Sequence, residues 1–131
     1  MSEELMSIRA MCEAFDVTPR TLRFYEQKEL LSPIREGQKR LFTRRDRVRL
    51  KLILRGKRFG VSLEEIRKIL DVYDMGRKQD VQLEMSMDTA RRRLREMIEQ
   101  RAELDQTIND LQTLIAENEA ALEQLKRNTA A

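Results

Sequence analysis

The chain has 131 residues, room for one ordinary domain or for a small domain with an extension. Its 40% hydrophobic content excludes a chain disordered by composition, while 37% charged residues and no Trp point to a small core with much exposed helix. One Cys and no His exclude a disulfide framework and a Cys/His zinc site within one chain, and no run approaches the ~20 apolar residues of a membrane helix.

The formal charge of +3 is unevenly spread. Residues 1–60 hold 15 Lys and Arg against 8 Asp and Glu, a surplus of +7, whereas residues 61–131 sum to −4. The single Cys makes a reducing compartment the default, and Met1-Ser2-Glu3-Glu4 has neither a basic n-region nor an apolar run, so a soluble, cytoplasmic protein is expected.

Ser7 is placed to cap a first helix in which Ile8, Met11, Cys12 and Phe15 form one apolar stripe. Cys12 lies on that stripe, which favours a buried, inert thiol over a redox switch. Asp16-Val17 supply a tight turn, and Thr18 caps a second helix with Pro19 at its first position, where a missing N–H costs nothing. On this helix Arg20, Arg23 and Gln27 share a face and Leu22 points the opposite way. Two helices joined by so short a turn make a helix-turn-helix unit.

Residues 32–42 read as two short extended pieces around a turn at Gly37, a small wing. Lys39 and Arg40 are expected on its tip or returning strand, and Leu41 or Phe42 ties it to the core. Thr43 and Asp46 form a capping box that opens a third helix, expected to run to about Arg55 and stop at Gly56. Ser62 and Glu65 open a fourth, with Leu63, Ile66, Ile69, Leu70 and Tyr73 on its buried side. Between Arg35 and Arg58 stand 11 basic and 2 acidic residues. A folded region so lopsided repels itself, which a polyanionic partner would relieve.

Heptads counted from Met87 give a/d pairs Met87/Ala90, Leu94/Met97, Arg101/Leu104, Ile108/Leu111, Ile115/Asn118 and Leu122/Leu125. Ten of these twelve positions are apolar, the pattern of a coiled coil. If residues 80–126 are one helix, the rod is roughly 70 Å long, and its stripe needs a second copy to cover it. Arg101 and Asn118 interrupt the seam, either fixing register or marking a splayed stretch.

These segments resemble the DNA-binding domain of MerR-type transcriptional regulators. The resemblance is carried by Thr18-Pro19-Arg20-Thr21-Leu22-Arg23-Phe24-Tyr25-Glu26, by Gly37-Gln38-Lys39-Arg40-Leu41-Phe42 and by Lys57-Arg58-Phe59-Gly60-Val61-Ser62-Leu63-Glu64-Glu65-Ile66, about half the chain in the family's order. It implies a mainly α fold, with a winged helix-turn-helix domain over residues 1–75. A linker and a long dimerisation helix over 76–131 would follow, paired as an antiparallel coiled coil. It further implies that Arg20, Thr21 and Arg23 face the major groove or its phosphates, while Tyr25, Arg40, Lys57 and Arg58 hold the backbone. Thr18 and Lys39, within the same motifs, complete the candidate DNA-binding set. The dimer seam would use Met87, Leu94, Met97, Leu104, Ile108, Leu111, Ile115, Leu122 and Leu125.

Function follows as an expectation: a homodimer on double-stranded promoter DNA that distorts a long spacer so that RNA polymerase engages. The chain departs from metal-sensing members in having no Cys after Cys12, and from drug-sensing members in having only residues 126–131 after the last heptad position. It is similar to short members without an effector domain, and neither a cofactor nor enzymatic activity is expected. An effector site near residues 73–87, with Met75, Met85 and Met87, is the weaker reading of those methionines beside simple dimer packing. An architectural DNA-bending protein and a coiled-coil protein whose basic domain meets an acidic protein remain as alternatives.

Overall fold

Four short polar side chains start the helices that hold the molecule together. Ser7 Oγ accepts the Ala10 N–H at 3.1 Å, Thr18 Oγ1 that of Thr21 at 3.2 Å, Thr43 Oγ1 that of Asp46 at 3.1 Å, and Ser62 Oγ that of Glu65 at 3.2 Å. Each satisfies an orphan donor of a first turn. The computed structural model describes residues 4–74 and 79–130, apart from the side chains of Tyr73 and Asp74. The element order is β1 (Met6–Ser7), α1 (Ile8–Phe15), α2 (Pro19–Gln27), β2 (Ile34–Glu36), β3 (Lys39–Phe42), α3 (Arg44–Arg58), α4 (Leu63–Asp74) and α5 (Gln79–Ala130). This is the expected mainly α, winged helix-turn-helix fold with a long C-terminal helix.

The chain divides into two units, residues 1–89 and 90–131. In the first, Met11, Leu22, Tyr25, Leu30, Leu31, Phe42, Leu50, Ile53, Ile66 and Leu70 form the buried core. Every element from α1 to α4 except β2 contributes to it. Ile8, Cys12 and Phe15, the rest of the α1 stripe, pack against it partly buried, as do Val17 and Leu63. Tyr73, expected on the buried side of α4, and Met75, one of the three methionines of the candidate effector site, lie outside the described side chains.

The wing is one strand larger than expected. The sheet order is β1-β3-β2, both pairs antiparallel, with Met6 opposite Phe42 and Arg35 opposite Arg40. β1 has only two residues, too few to show an alternation in sequence. It nevertheless sews the chain's start to the strand that carries buried Phe42.

The third helix does not stop at Gly56. It continues to Arg58, with Phe59 as its C-cap and Gly60, at φ +79°, taking the left-handed turn beyond. Gly56 is instead the point where α3 meets α4. A Cβ there would stand 2.7 Å from Ile66 Cδ1 and 2.9 Å from Ile66 Cγ1, so a methyl at this position would force the Ile66 side chain to shift.

In the second unit α5 runs on unbroken. The whole helix has 52 residues, about 78 Å at 1.5 Å each, and none of its described residues is buried. Met87, Leu94, Met97, Leu104, Ile108, Leu111, Ile115, Leu122 and Leu125 are all exposed, joined by Leu83, Ile98 and Leu114.

Candidate nucleic-acid interface

The second helix is held from behind and open in front. Leu22 and Tyr25 are buried, 0% and 4% exposed, while Arg20 and Arg23 on the other face are exposed and Thr21 is half-buried. Thr18 does more than cap: its hydroxyl lies 2.9 Å from that of Thr21, fixing the Thr21 side chain at the helix entrance. Among the described residues Arg23 makes one long bond, 3.4 Å from Nε to the Pro19 carbonyl. Tyr25 belongs to the core rather than to the outer face, and burial pushes its hydroxyl above the ordinary tyrosine value.

The exit of α2 is fastened by cations. Glu29 takes a left-handed φ of 61°, and the Leu30 N–H donates back to the Tyr25 carbonyl at 2.9 Å. Arg49, 6% exposed, donates its Nε–H to the Leu30 carbonyl at 2.6 Å, and Arg67 of α4 donates to the Lys28 carbonyl. Asp46 is fully buried yet satisfied, accepting from the N–H of Ser32 at 2.9 Å and from both the N–H and hydroxyl of Thr43 at 3.1 Å. The helix is thereby bolted to α3, α4 and the root of the wing.

Glu26, in the last turn of α2, joins the wing directly. Its Oε2 accepts from Arg40 Nε at 2.6 Å and its Oε1 from Arg35 Nη1 at 3.0 Å. Burial alone would raise the Glu26 carboxyl, but the hydrogen bonds and charges of Arg40 and Arg35 outweigh it and hold the group below its usual range. Arg40, expected on the DNA backbone, is thus engaged by a carboxylate.

Lys39 at the start of β3, and Lys57 and Arg58 at the end of α3, are exposed. Among the described residues no carboxylate pairs with Lys39, Lys57, Arg58 or Arg20. The 11-residue basic run is therefore of two kinds. Arg35, Arg40 and Arg49 serve the fold, as does Arg47, which donates to the carbonyls of Glu4 at 3.0 Å and Phe42 at 3.3 Å. Sequence reasoning missed Glu26 altogether, read the Asp46 capping box but not its bond to the Ser32 N–H, and missed Arg49 as an organising residue. A charge inside a capping box and a basic residue on an apolar helix face were the available signals for the last two.

Among the described residues no group of three or more His, Cys, Asp or Glu side chains is placed to hold a metal ion, and no helix is long and apolar enough to cross a membrane.

Comparison with known proteins places the arrangement. Residues 6–72 match the MerR HTH family regulatory protein model, and residues 47–114 match the MerR DNA-binding model. The HTH-type transcriptional regulator ZntR of Escherichia coli K12 is 39% identical over 67 residues, which are 50% of this chain and 48% of ZntR. The match thus spans about half the length of this relative. Two solved structures are similar. HiNmlR, described as a MerR family regulator lacking the sensor domain and bound to promoter DNA, aligns with a TM-score of 0.61 at 24% identity, over 78% of this chain and 80% of that one. The HTH-type transcriptional regulator SkgA from Caulobacter crescentus gives 0.52 at 26% identity, over 85% and 80%. With two family models each covering half the chain, this protein belongs to the MerR family of DNA-binding transcriptional regulators.

Proposed function

We propose that the chain acts as a homodimer that binds a promoter sequence-specifically on double-stranded DNA and distorts the spacer between its half-sites so that RNA polymerase engages. The observation that carries this reading is the anchored α2: two guanidinium groups stand out from a helix whose back is fully buried. A guanidinium donates in a planar fork that suits the O6 and N7 of guanine or a phosphate. Arg20 and Arg23, with Thr21 beside them, are the proposed groove contacts, and Lys39, Lys57 and Arg58 the proposed backbone contacts.

Support for the dimer comes from α5. Leu104 is 59% exposed and Leu125 63%, on a helix that buries none of its described residues. Apolar surface of that extent is stable in water only when another helix covers it. Charge favours an antiparallel partner: Arg91, Arg92, Arg93 and Arg95 precede Glu103, Asp105, Asp110, Glu117, Glu119 and Glu123 along the helix. Reversing one copy brings the basic stretch toward the acidic one. Two readers joined by such a coil impose a fixed half-site spacing, and a mismatch with the DNA is met by bending or twisting it. HiNmlR, of similar fold, is bound to promoter DNA.

Sequencing the genomic fragments selected by the purified protein tests the reading. Recovery of a few promoter spacers with a two-fold symmetric motif is expected. Dispersed recovery without a motif would favour an architectural DNA-bending role, and no retention of duplex DNA would remove the DNA-binding assignment.

A further inference from the structure

The wing contains an arrangement that DNA binding alone does not require. Arg35 of β2 and Arg40 of β3 are directly opposite across the hairpin. Like charges so placed repel and splay a two-stranded ribbon. Glu26 resolves the conflict by taking one arginine on each carboxylate oxygen, and its side chain, 20% exposed, sits more enclosed than Arg35 at 49%. A phosphate offers an arginine the same bidentate, anionic acceptor as a carboxylate. Each guanidinium is therefore already engaged, through one N–H, by a group that belongs to the recognition helix.

We propose that Glu26 is a specificity-determining positioning residue, withholding Arg35 and Arg40 from DNA phosphates while it fixes the wing against α2. This rests on the DNA-binding reading of α2. Two more phosphate contacts would strengthen binding to every sequence alike, because phosphates carry no base information. By engaging both arginines, the carboxylate keeps affinity concentrated in the groove-facing pair Arg20 and Arg23. It also limits where Lys39 on β3 can stand, since the strand is tied at Arg40 one residue away.

The test measures binding of the full-length protein to a duplex of scrambled sequence and to a selected promoter fragment over a range of salt. Glu26→Gln is expected to steepen the slope of log K against log salt on the scrambled duplex by about one to two, since each neutralised phosphate contributes ~0.9. Scrambled-duplex affinity rises at low salt, and the ratio of promoter to scrambled affinity falls several-fold. Glu36→Gln removes the same charge from the same hairpin, where no described residue forms an ion pair with Glu36, and leaves the slope unchanged. The triple variant Glu26→Gln, Arg35→Gln, Arg40→Gln returns the slope to the wild-type value. A purely structural role for Glu26 would lower both affinities together without steepening the slope. Equal slopes for wild type and Glu26→Gln, or equal steepening by Glu36→Gln, would overturn the proposal. Arg35→Gln and Arg40→Gln decide the matter even if Glu26→Gln fails to fold: each is expected to leave the scrambled-duplex slope unchanged, and a fall of about one in either would show that arginine on phosphate in the wild type. Failure of the wild type to bind any duplex would instead overturn the DNA-binding reading itself.

Discussion

Residues 4–74 and residues 90–130 of this chain solve the problem of apolar surface in opposite ways. The first segment closes a core from residues of five elements and the loop after α2, and even its buried charges, Asp46 and Arg49, have hydrogen-bond partners in the same chain. The second carries leucines and isoleucines at heptad spacing and buries none of them. The contrast teaches that stability in this protein has two currencies. One part folds on contacts internal to the chain, and the other leaves its apolar stripe uncovered by the described residues of the chain.

Substitutions at matched leucines sharpen that contrast most. Leu50→Ala, at a fully buried position, is expected to cost ~2–5 kcal/mol whatever the protein concentration, read from denaturant unfolding. Leu111→Ala, at an exposed position, is expected to lower the melting temperature in a concentration-dependent way and to shift ultracentrifuge profiles toward the single chain. A concentration-independent effect at Leu111 would break the division.

The α3–α4 contact supplies a smaller test. Gly56→Ala gains up to ~1 kcal/mol of helix propensity but drives a methyl into the buried Ile66 side chain. A net loss of about 1 kcal/mol is expected, since overpacking costs ~1–3 kcal/mol. Ile66→Val in the same background removes Cδ1 and should recover part of it.

How much of this was legible beforehand differs between the same two regions. The caps at Ser7, Thr18, Thr43 and Ser62 were readable because each is a local event within one helical turn, fixed by side-chain chemistry. The heptads were readable because a 3.5-residue period accumulates over many turns. Gly56 was misread as a helix stop because a glycine signals permissiveness without saying whether the turn or a neighbouring helix requires it. The Glu26 bridge was invisible because its partners stand nine and fourteen residues away on strands whose register only the folded sheet defines. Of the candidate contacts, the exposure of Arg20 and Arg23 opposite buried Leu22 was legible from the helical period, while the burial of Tyr25 and the pairing of Arg40 with Glu26 were not.

Two further variants probe the supports of α2. Thr18→Ala removes a cap and is expected to cost about 1 kcal/mol by thermal or denaturant unfolding, against ~0.5–2 for such positions. Acid probes the Glu26 bridge. The folded carboxyl is held below its ordinary value, so the bridge stabilises the fold above that ordinary value and loses its contribution as pH falls through the lower, folded one. Wild-type stability should fall more steeply than that of Glu26→Gln across that acidic interval, and parallel curves would contradict it.

The central claim is that Arg20 and Arg23, held outward by Leu22 and Tyr25, read a base sequence. Titration of wild type, Arg20→Ala and Arg23→Ala against a selected promoter duplex and its scrambled counterpart tests this most directly. The account predicts that at least one variant loses ~1–3 kcal/mol on the promoter with a much smaller loss on the scrambled duplex. Unchanged promoter affinity in both variants, or equal losses on the two duplexes, would contradict it.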